Sequence, residues 1–460
     1  MSYGQHRRHA SPQKHHAKLM TPQTKRLLLV MYQPPGCNGV QAFMFSKLLP
    51  YLENNGWEFH FVGPAPELFS VVTEAIDYPS ERLHYTTAVS RSRIYSVRKN
   101  RYKKGSLAYL FNGGLQLIAK LVERLVGHDG DRYMQAGIAK EVRRCDSQWT
   151  YDIIAGISPD FQILELVSQL TTELHKPFFV IYTDPYGARM ENGFFPKDPE
   201  RQTAILNQAC GVFFTSPLTR NRYVEAGLVS DEKAFYFIEC YPESADLYMP
   251  GRSVLAAQSS TAARRPLQLI YLGMLPEWRP AEPLLDAIKH FCQADGQSPS
   301  IQLTIFGYIY PAARERILAD PELARIIHLH PILSYATSHW VAEDSDIQLV
   351  LIGPRHIDNL PSKFFDYLAH KKPVLVLGPP QNPLRTIMTE LGIGCYVDGM
   401  DSQQIEQGLQ HLRDHYSSYQ QAFATNHQKI AAYSASQSAR WFAEVLDRSL
   451  AWQRRPRESR

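Results

Sequence analysis

Apolar residues along this 460-residue chain fall into short bare runs separated by longer stretches with helical spacing. The runs at 27–32, 59–62, 151–155, 178–183, 212–215 and 235–238 are compact and rich in β-branched and aromatic residues, the pattern of strands buried on both faces. A second series follows at 267–273, 301–307, 326–330 and 373–377. Helical patterns separate many of these runs, beginning with residues 40–54, and strands alternating with helices predict an α/β chain with parallel sheets. Residues 251–266 lack large apolar groups and end in Pro266, so they read as a linker. The expected organisation is a disordered basic tail over 1–25, a Rossmann-like domain over 26–250, the linker 251–266, a second Rossmann-like domain over 267–425, and a C-terminal helix with basic tail over 426–460. Ligands of open parallel sheets bind beyond the carboxyl ends of the strands, so two such domains are expected to face one another across a cleft.

The most informative polar groups lie between two elements of the second series. Pro361 and Ser362 are expected to open a helix, proline being tolerated there and serine able to cap free N–H groups. Lys363 and Asp366 stand three apart and share a face, while Phe364, Phe365 and Leu368 supply the apolar side. A lysine at a helix start attracts phosphate oxygens, and a carboxylate one turn on can accept hydrogen bonds from a ribose diol. The alternative for this pair is a plain surface salt bridge.

These residues resemble the nucleotide-sugar motif of GT-B glycosyltransferases, in particular the retaining enzymes of family 4. Those enzymes carry two acids separated by seven residues, as Asp358 and Asp366 are here, followed by a small apolar run and a strand like the one after Lys372. The resemblance implies that Asp366 holds the donor ribose and that Asp358 lies near the donor sugar. It departs from the family in having Asp at both positions and Pro361 in place of a glycine; the Pro-Ser-Lys form is similar to a known variant. The loop after the strand at 267–273 resembles the family's diphosphate clamp, with Arg279 where a lysine is usual and Met274 where an arginine is usual. Pro331, Ile332 and Leu333 stand where relatives hold the base, and the helix over 427–452 is expected to cross back to the first domain as in GT-B proteins.

In the first domain, Gly36 and Gly39 make a turn after the first strand, either a tight turn alone or a place where backbone N–H groups approach the donor. The spacing is neither a dinucleotide fingerprint nor a Walker loop. Asp184 follows the run at 178–183 and reads as an acceptor ligand or base, or else as the opener of an Asp-Pro turn. The histidine many relatives carry near 156–160 is missing, which leaves the catalytic group unnamed; Asp184 and Asp358 are the catalytic candidates. No Asp-x-Asp stands in a suitable place, so no metal and no cofactor are expected.

Charge then decides the partners. The formal net charge is +4, but the tails at 1–26 and 454–460 carry nine net positive charges, leaving the body five negative. A nucleic-acid binder would put its excess on the folded surface, so nucleic acid is set aside. Six cysteines are scattered without metal-like pairing, which suits reduced thiols and a cytoplasmic protein. Arg91, Arg93, Arg98, Lys99, Arg101, Lys103 and Lys104 crowd together without an acid before an apolar stretch at 107–126. This is either a solvated loop before a core helix or a device for lying on an anionic membrane, the inner face of the cell membrane in the second case. The reading as a whole is a transferase from a nucleotide diphosphate sugar to a glycan or lipid-linked acceptor. A nucleotide-sugar epimerase of the same fold and a non-catalytic binding or scaffold protein are the alternatives.

Overall fold

The computed structural model describes residues 24–69, 74, 78–88, 94–95, 98–99, 102–126, 130–158, 161–184, 187–190, 193–196, 198–243, 265–294 and 300–454. The tail before Thr24, most of the expected linker, Arg91, Arg93, Arg101, Pro185 and Tyr186 lie outside them.

The first sheet is built from β1 (Lys25–Val30), β2 (Trp57–Pro64), β3 (Leu83–Thr86), β4 (Ile153–Ile157), β5 (Phe178–Tyr182), then, after a separate hairpin of β6 (Gly187–Met190) and β7 (Gly193–Pro196), β8 (Gly211–Phe214) and β9 (Ala234–Tyr236). Its order is β3-β2-β1-β4-β5-β8-β9, with every pairing parallel. The second sheet takes β10 (Leu267–Leu272), β11 (Ile301–Phe306), β12 (Ile327–His330), β13 (Ile347–Leu351), β14 (Val374–Gly378) and β15 (Gly394–Asp398) in the parallel order β12-β11-β10-β13-β14-β15. Each sheet is covered on both faces. Leu28 and Val30 pack with Ile154 and Val180 on one side of the first, while Leu27 and Leu29 pack with Phe45 and Phe59 on the other. That two-sided burial is why these strands read as bare apolar runs.

Three strands carry weaker signals. β3 and β15 are edge strands with half-buried positions, and in β13 the polar Gln348 interrupts the run; it is buried, and its Nε2 donates to the Ala342 carbonyl at 3.1 Å. The final helix is also not continuous over 427–452. It breaks into His427–Ala431 and Ala435–Gln453, because Ser434 leaves helical geometry and caps the second segment by accepting from Gln437 N–H. The longer segment returns to the first domain, where the Phe442 ring meets Phe213 at 4.8 Å, Phe59 at 5.7 Å and Phe45 at 6.2 Å between centroids. It thereby fixes the helix α1 (Val40–Leu52) that follows β1.

The helix Leu107–Val126 is turned the opposite way to an ordinary surface helix. Leu107, Leu110, Phe111, Leu117, Ile118, Leu121 and Leu125 are exposed, while Asn112 and Ala119 are buried. A soluble helix hides its apolar stripe. This one shows it to solvent, so the core-helix alternative does not describe it. No helix among the described residues is long and apolar enough to cross a membrane.

Candidate active site between the two sheets

Strand order reverses between β1 and β4 in the first sheet and between β10 and β13 in the second, which makes the carboxyl ends of these strands the natural ligand crevices. Gly36 and Gly39 follow β1, Arg279 follows β10, and Asp358, Ser362, Lys363 and Asp366 follow β13, whereas Asp184 follows β5, the next strand beyond β4.

In the second domain, β10 is followed by Gly273 with φ 113°, a conformation that side chains resist. The neighbouring Gly307, φ 136°, is equally constrained, because a Cβ there would strike the Gly273 carbonyl oxygen. This close backbone leaves room for Lys363, whose Nζ donates to the Leu272 carbonyl at 2.5 Å and lies 4.2 Å from the centre of the Tyr271 ring. Arg279 reaches the same tyrosine: its Nη1 is 3.4 Å from the Tyr271 hydroxyl and 3.3 Å from the Met274 carbonyl, and its guanidinium lies over Trp278. The two basic residues are 84 positions apart in sequence and converge on one ring. Burial pulls the Lys363 ammonium below the usual lysine pKa, with Arg279 adding to the shift.

Lys363 and Asp366 form no ion pair with each other, although they share a face of the helix Ser362–Leu368. Asp366 is bonded elsewhere. Its Oδ1 accepts from Lys47 Nζ at 2.9 Å and from the Tyr335 hydroxyl at 3.0 Å. Ser362 does not cap this helix as expected; Pro361 occupies the cap position and no side chain bonds the free N–H groups. Asp358 is buried, and its Oδ2 accepts from Thr219 Oγ1 at 2.9 Å, so it too is tied to the first domain.

In the first domain, Gly36 has φ 97° and its carbonyl accepts from the Glu74 N–H, while Gly39 starts α1 with extended backbone packed against the Gln33 amide. Asp184 is half-buried at the end of β5, its N–H 3.4 Å from Ser158 Oγ. The Ser158 carbonyl in turn accepts from Gln41 of α1, so a hydrogen-bonded path joins Asp184 to the start of α1 just after the glycine turn.

Four residues of this site carry no clear signal in the sequence. Lys47 is one, marked only by being the single charged residue of α1. Tyr335 is another: its ring stacks on Phe43 at 4.4 Å and 13°, and its N–H donates to the Glu74 carboxylate. Glu74 also accepts from Asn38, and burial raises its pKa. Glu239 is the fourth. It is buried beside Lys47, burial pushes its carboxyl up to about 7 against the pull of Lys47, and Asp366 adds to the rise. Elsewhere, His84, Glu141 and Cys145 each bring a possible ligand atom within 4.8 Å of the others, but the Arg144 guanidinium bonds both His84 and Glu141 there.

No protein-family model and no curated protein matches this chain. Solved structures do match along nearly its whole length. Sucrose-phosphate synthase from Thermosynechococcus elongatus is 13% identical with a TM-score of 0.62, over 93% of this chain and 99% of its own. HepE from Anabaena in complex with UDP is 14% identical with a TM-score of 0.58, over 92% and 99%. A putative UDP-N-acetylglucosamine 2-epimerase from Listeria monocytogenes is 13% identical with a TM-score of 0.54, over 94% and 98%. At these identities the likeness is one of fold. Two parallel-sheet domains facing across a cleft give this chain the GT-B fold.

Proposed function

We propose that the protein is a retaining glycosyltransferase that moves a sugar from a nucleotide diphosphate sugar to a hydroxyl of a glycan or lipid-linked acceptor, in polysaccharide or lipid-linked glycan synthesis. The observation that carries this reading is the meeting of Lys363 and Arg279 at Tyr271, at the switch point of the second sheet, one helical turn from Asp366. In the proposed arrangement residues 267–425 bind the donor and 26–250 the acceptor. Lys363 and Arg279 neutralise the diphosphate as it leaves, the main electrostatic task of the transfer. Asp366 accepts from the ribose hydroxyls, Asp358 lies near the donor sugar, and Asp184 near the acceptor, with the Gly36–Gly39 turn and Ser362 lining the donor side. Support for a nucleotide donor comes from HepE, solved with UDP on the same fold.

The epimerase on this fold favours one specific rival, an enzyme that acts on the donor alone. Incubating the purified protein with UDP-, GDP- and ADP-sugars separates the readings. A transferase is expected to release nucleoside diphosphate slowly by transfer to water. Interconversion of one nucleotide sugar into its epimer identifies an epimerase, and binding of a nucleotide without any turnover identifies a non-catalytic protein.

The same proposal sets the protein peripherally on an anionic membrane, at the inner face of the cell membrane, where a lipid-linked acceptor is met. The outward apolar stripe from Leu107 to Leu125 supports it, flanked by exposed Arg98, Lys103, Lys104, Lys120 and Arg124. Each basic group near such a surface contributes up to about 1 kcal/mol. Screening cuts this, because the Debye length falls from about 10 Å at 0.1 M salt to about 3 Å at 1 M. In co-sedimentation the parent is expected to bind phosphatidylglycerol vesicles at low salt and to release partly at high salt. Changing Arg98, Lys99, Lys103 and Lys104 to Gln should remove the salt-sensitive part, and Phe111→Ser with Leu121→Ser the rest. A parent that ignores anionic vesicles at low salt sinks the membrane reading.

A further inference from the structure

The cation that reaches Asp366 belongs to the other domain. Lys47 is 1% exposed, and its ammonium donates to Asp366 Oδ1 at 2.9 Å and to the Cys240 carbonyl at 2.7 Å. Burial pulls this ammonium toward neutrality, yet the attraction of Asp366, with Cys240 and Glu239 behind it, outweighs burial and leaves the pKa above the ordinary lysine value. Stability alone is a weak reason to keep such a pair, since apolar residues of similar volume often serve a core as well or better. Its geometry is more telling. Both hydrogen bonds to Asp366 from the described residues, those of Lys47 and Tyr335, land on Oδ1 and none on Oδ2. The donors are themselves locked: Tyr335 stacks on Phe43, and Lys47 sits two residues from Phe45, which packs against Phe442 of the returning helix.

We infer that Lys47 is a cross-domain positioning residue for the donor: it anchors Oδ1 of Asp366 and supplies its counter-charge, so that Oδ2 is the oxygen offered to the two ribose hydroxyls. The inference rests on the reading of Asp366 as the ribose acid. It adds that affinity for the ribose passes through the first domain. Without Lys47, Oδ1 of the half-buried Asp366 keeps only the Tyr335 hydroxyl, and the buried Glu239 nearby is left without the ammonium that lies beside both acids.

The test is calorimetry with UDP and with its 2′,3′-dideoxy analogue, which lacks both hydroxyls; GDP or ADP and their dideoxy analogues replace them if the parent prefers those bases. Lys47→Met is expected to lose about tenfold in affinity for UDP, the size of one charge-assisted hydrogen bond at its lower range, and little for the dideoxy analogue. Lys47→Arg should restore most of the loss. Tyr335→Phe, which keeps the charge, should show a smaller loss with the same selectivity, and it serves as the test if Lys47→Met does not fold. Equal losses for the two ligands make Lys47 a purely structural residue and overturn the inference. Tighter binding of UDP by Lys47→Met also overturns it, because Lys47 would then compete with the ribose. Asp366→Asn is the separate control: if it loses equally for both ligands, the ribose assignment of Asp366 falls, whatever the Lys47 variants do. A parent that binds none of the three nucleotides removes the nucleotide reading itself.

Discussion

Lys363→Ala is expected to weaken binding of UDP by about 2–3 kcal/mol, roughly 30- to 150-fold, while leaving uridine nearly unaffected. The ammonium is already gathered against a carbonyl and an aromatic face, at 2.5 Å and 4.2 Å, and a diphosphate is a far stronger partner for it than either. Arg279→Ala should lose less, because its guanidinium is spread over Trp278 and reaches the Met274 carbonyl only at 3.3 Å. Titrations of both ligands against both variants decide the matter. Equal losses for nucleoside and diphosphate would mean that the lysine stem packs the site and its charge does nothing for phosphate. The lowered pKa of Lys363 adds a direction: UDP affinity should begin to fall at a lower pH than for an ordinary lysine, as the ammonium loses its proton, and uridine affinity should not follow it.

Glu239→Gln should stabilise the protein above pH 7, by about 1–3 kcal/mol. Burial raises the Glu239 carboxyl to about 7, so the folded protein holds a proton that the unfolded chain has already released near pH 4.5. The fold therefore binds more protons than the unfolded chain between those values, and its stability falls as pH rises through that window. Above pH 7 the penalty for ionising Glu239 is fully present. Lys47 reduces it and Asp366 increases it, and glutamine removes it altogether. Urea unfolding of parent and variant from pH 4.5 to 9 is the measurement. The two curves should lie close together at the acid end and separate toward neutrality. Curves that run parallel across the range would show that Glu239 is ionised throughout and shares Lys47 with Asp366.

Most strands were readable because burial on both faces demands bare apolar runs; the stretch at 27–32 could hardly be anything else. The hairpin β6–β7 and three sheet strands failed to announce themselves; of the latter, β3 and β15 lie at edges with half-buried positions, and β13 carries Gln348 in its core. In the candidate site, Lys363 and Asp366 stood out because charged residues beside a helix start are placed by local geometry, and Arg279 because its loop resembles a diphosphate clamp. Their partners were not. Lys47 and Asp366 are 319 residues apart, and a lysine in an apolar helix shows in sequence only that something must meet it. Local spacing also pointed to a Lys363–Asp366 pair, but tertiary packing gave each a different neighbour. The stretch at 107–126 was plainly amphipathic, whereas which side faces the protein depends on what the rest of the chain offers it, and Asn112 and Ala119 took that side.

The sequence by itself determined most of the elements, the two-domain α/β plan and the local positions of the basic and acidic groups, because period, glycine turns and strand ends act over a few residues. Tertiary structure alone decided which charges meet across the cleft, that Asp358 is held by Thr219 and Asp366 by Lys47, and that Glu239 is buried beside them. Those outcomes depend on how two sheets and a returning helix pack, and desolvation, which sets the energy of every buried charge here, exists only once that packing is complete.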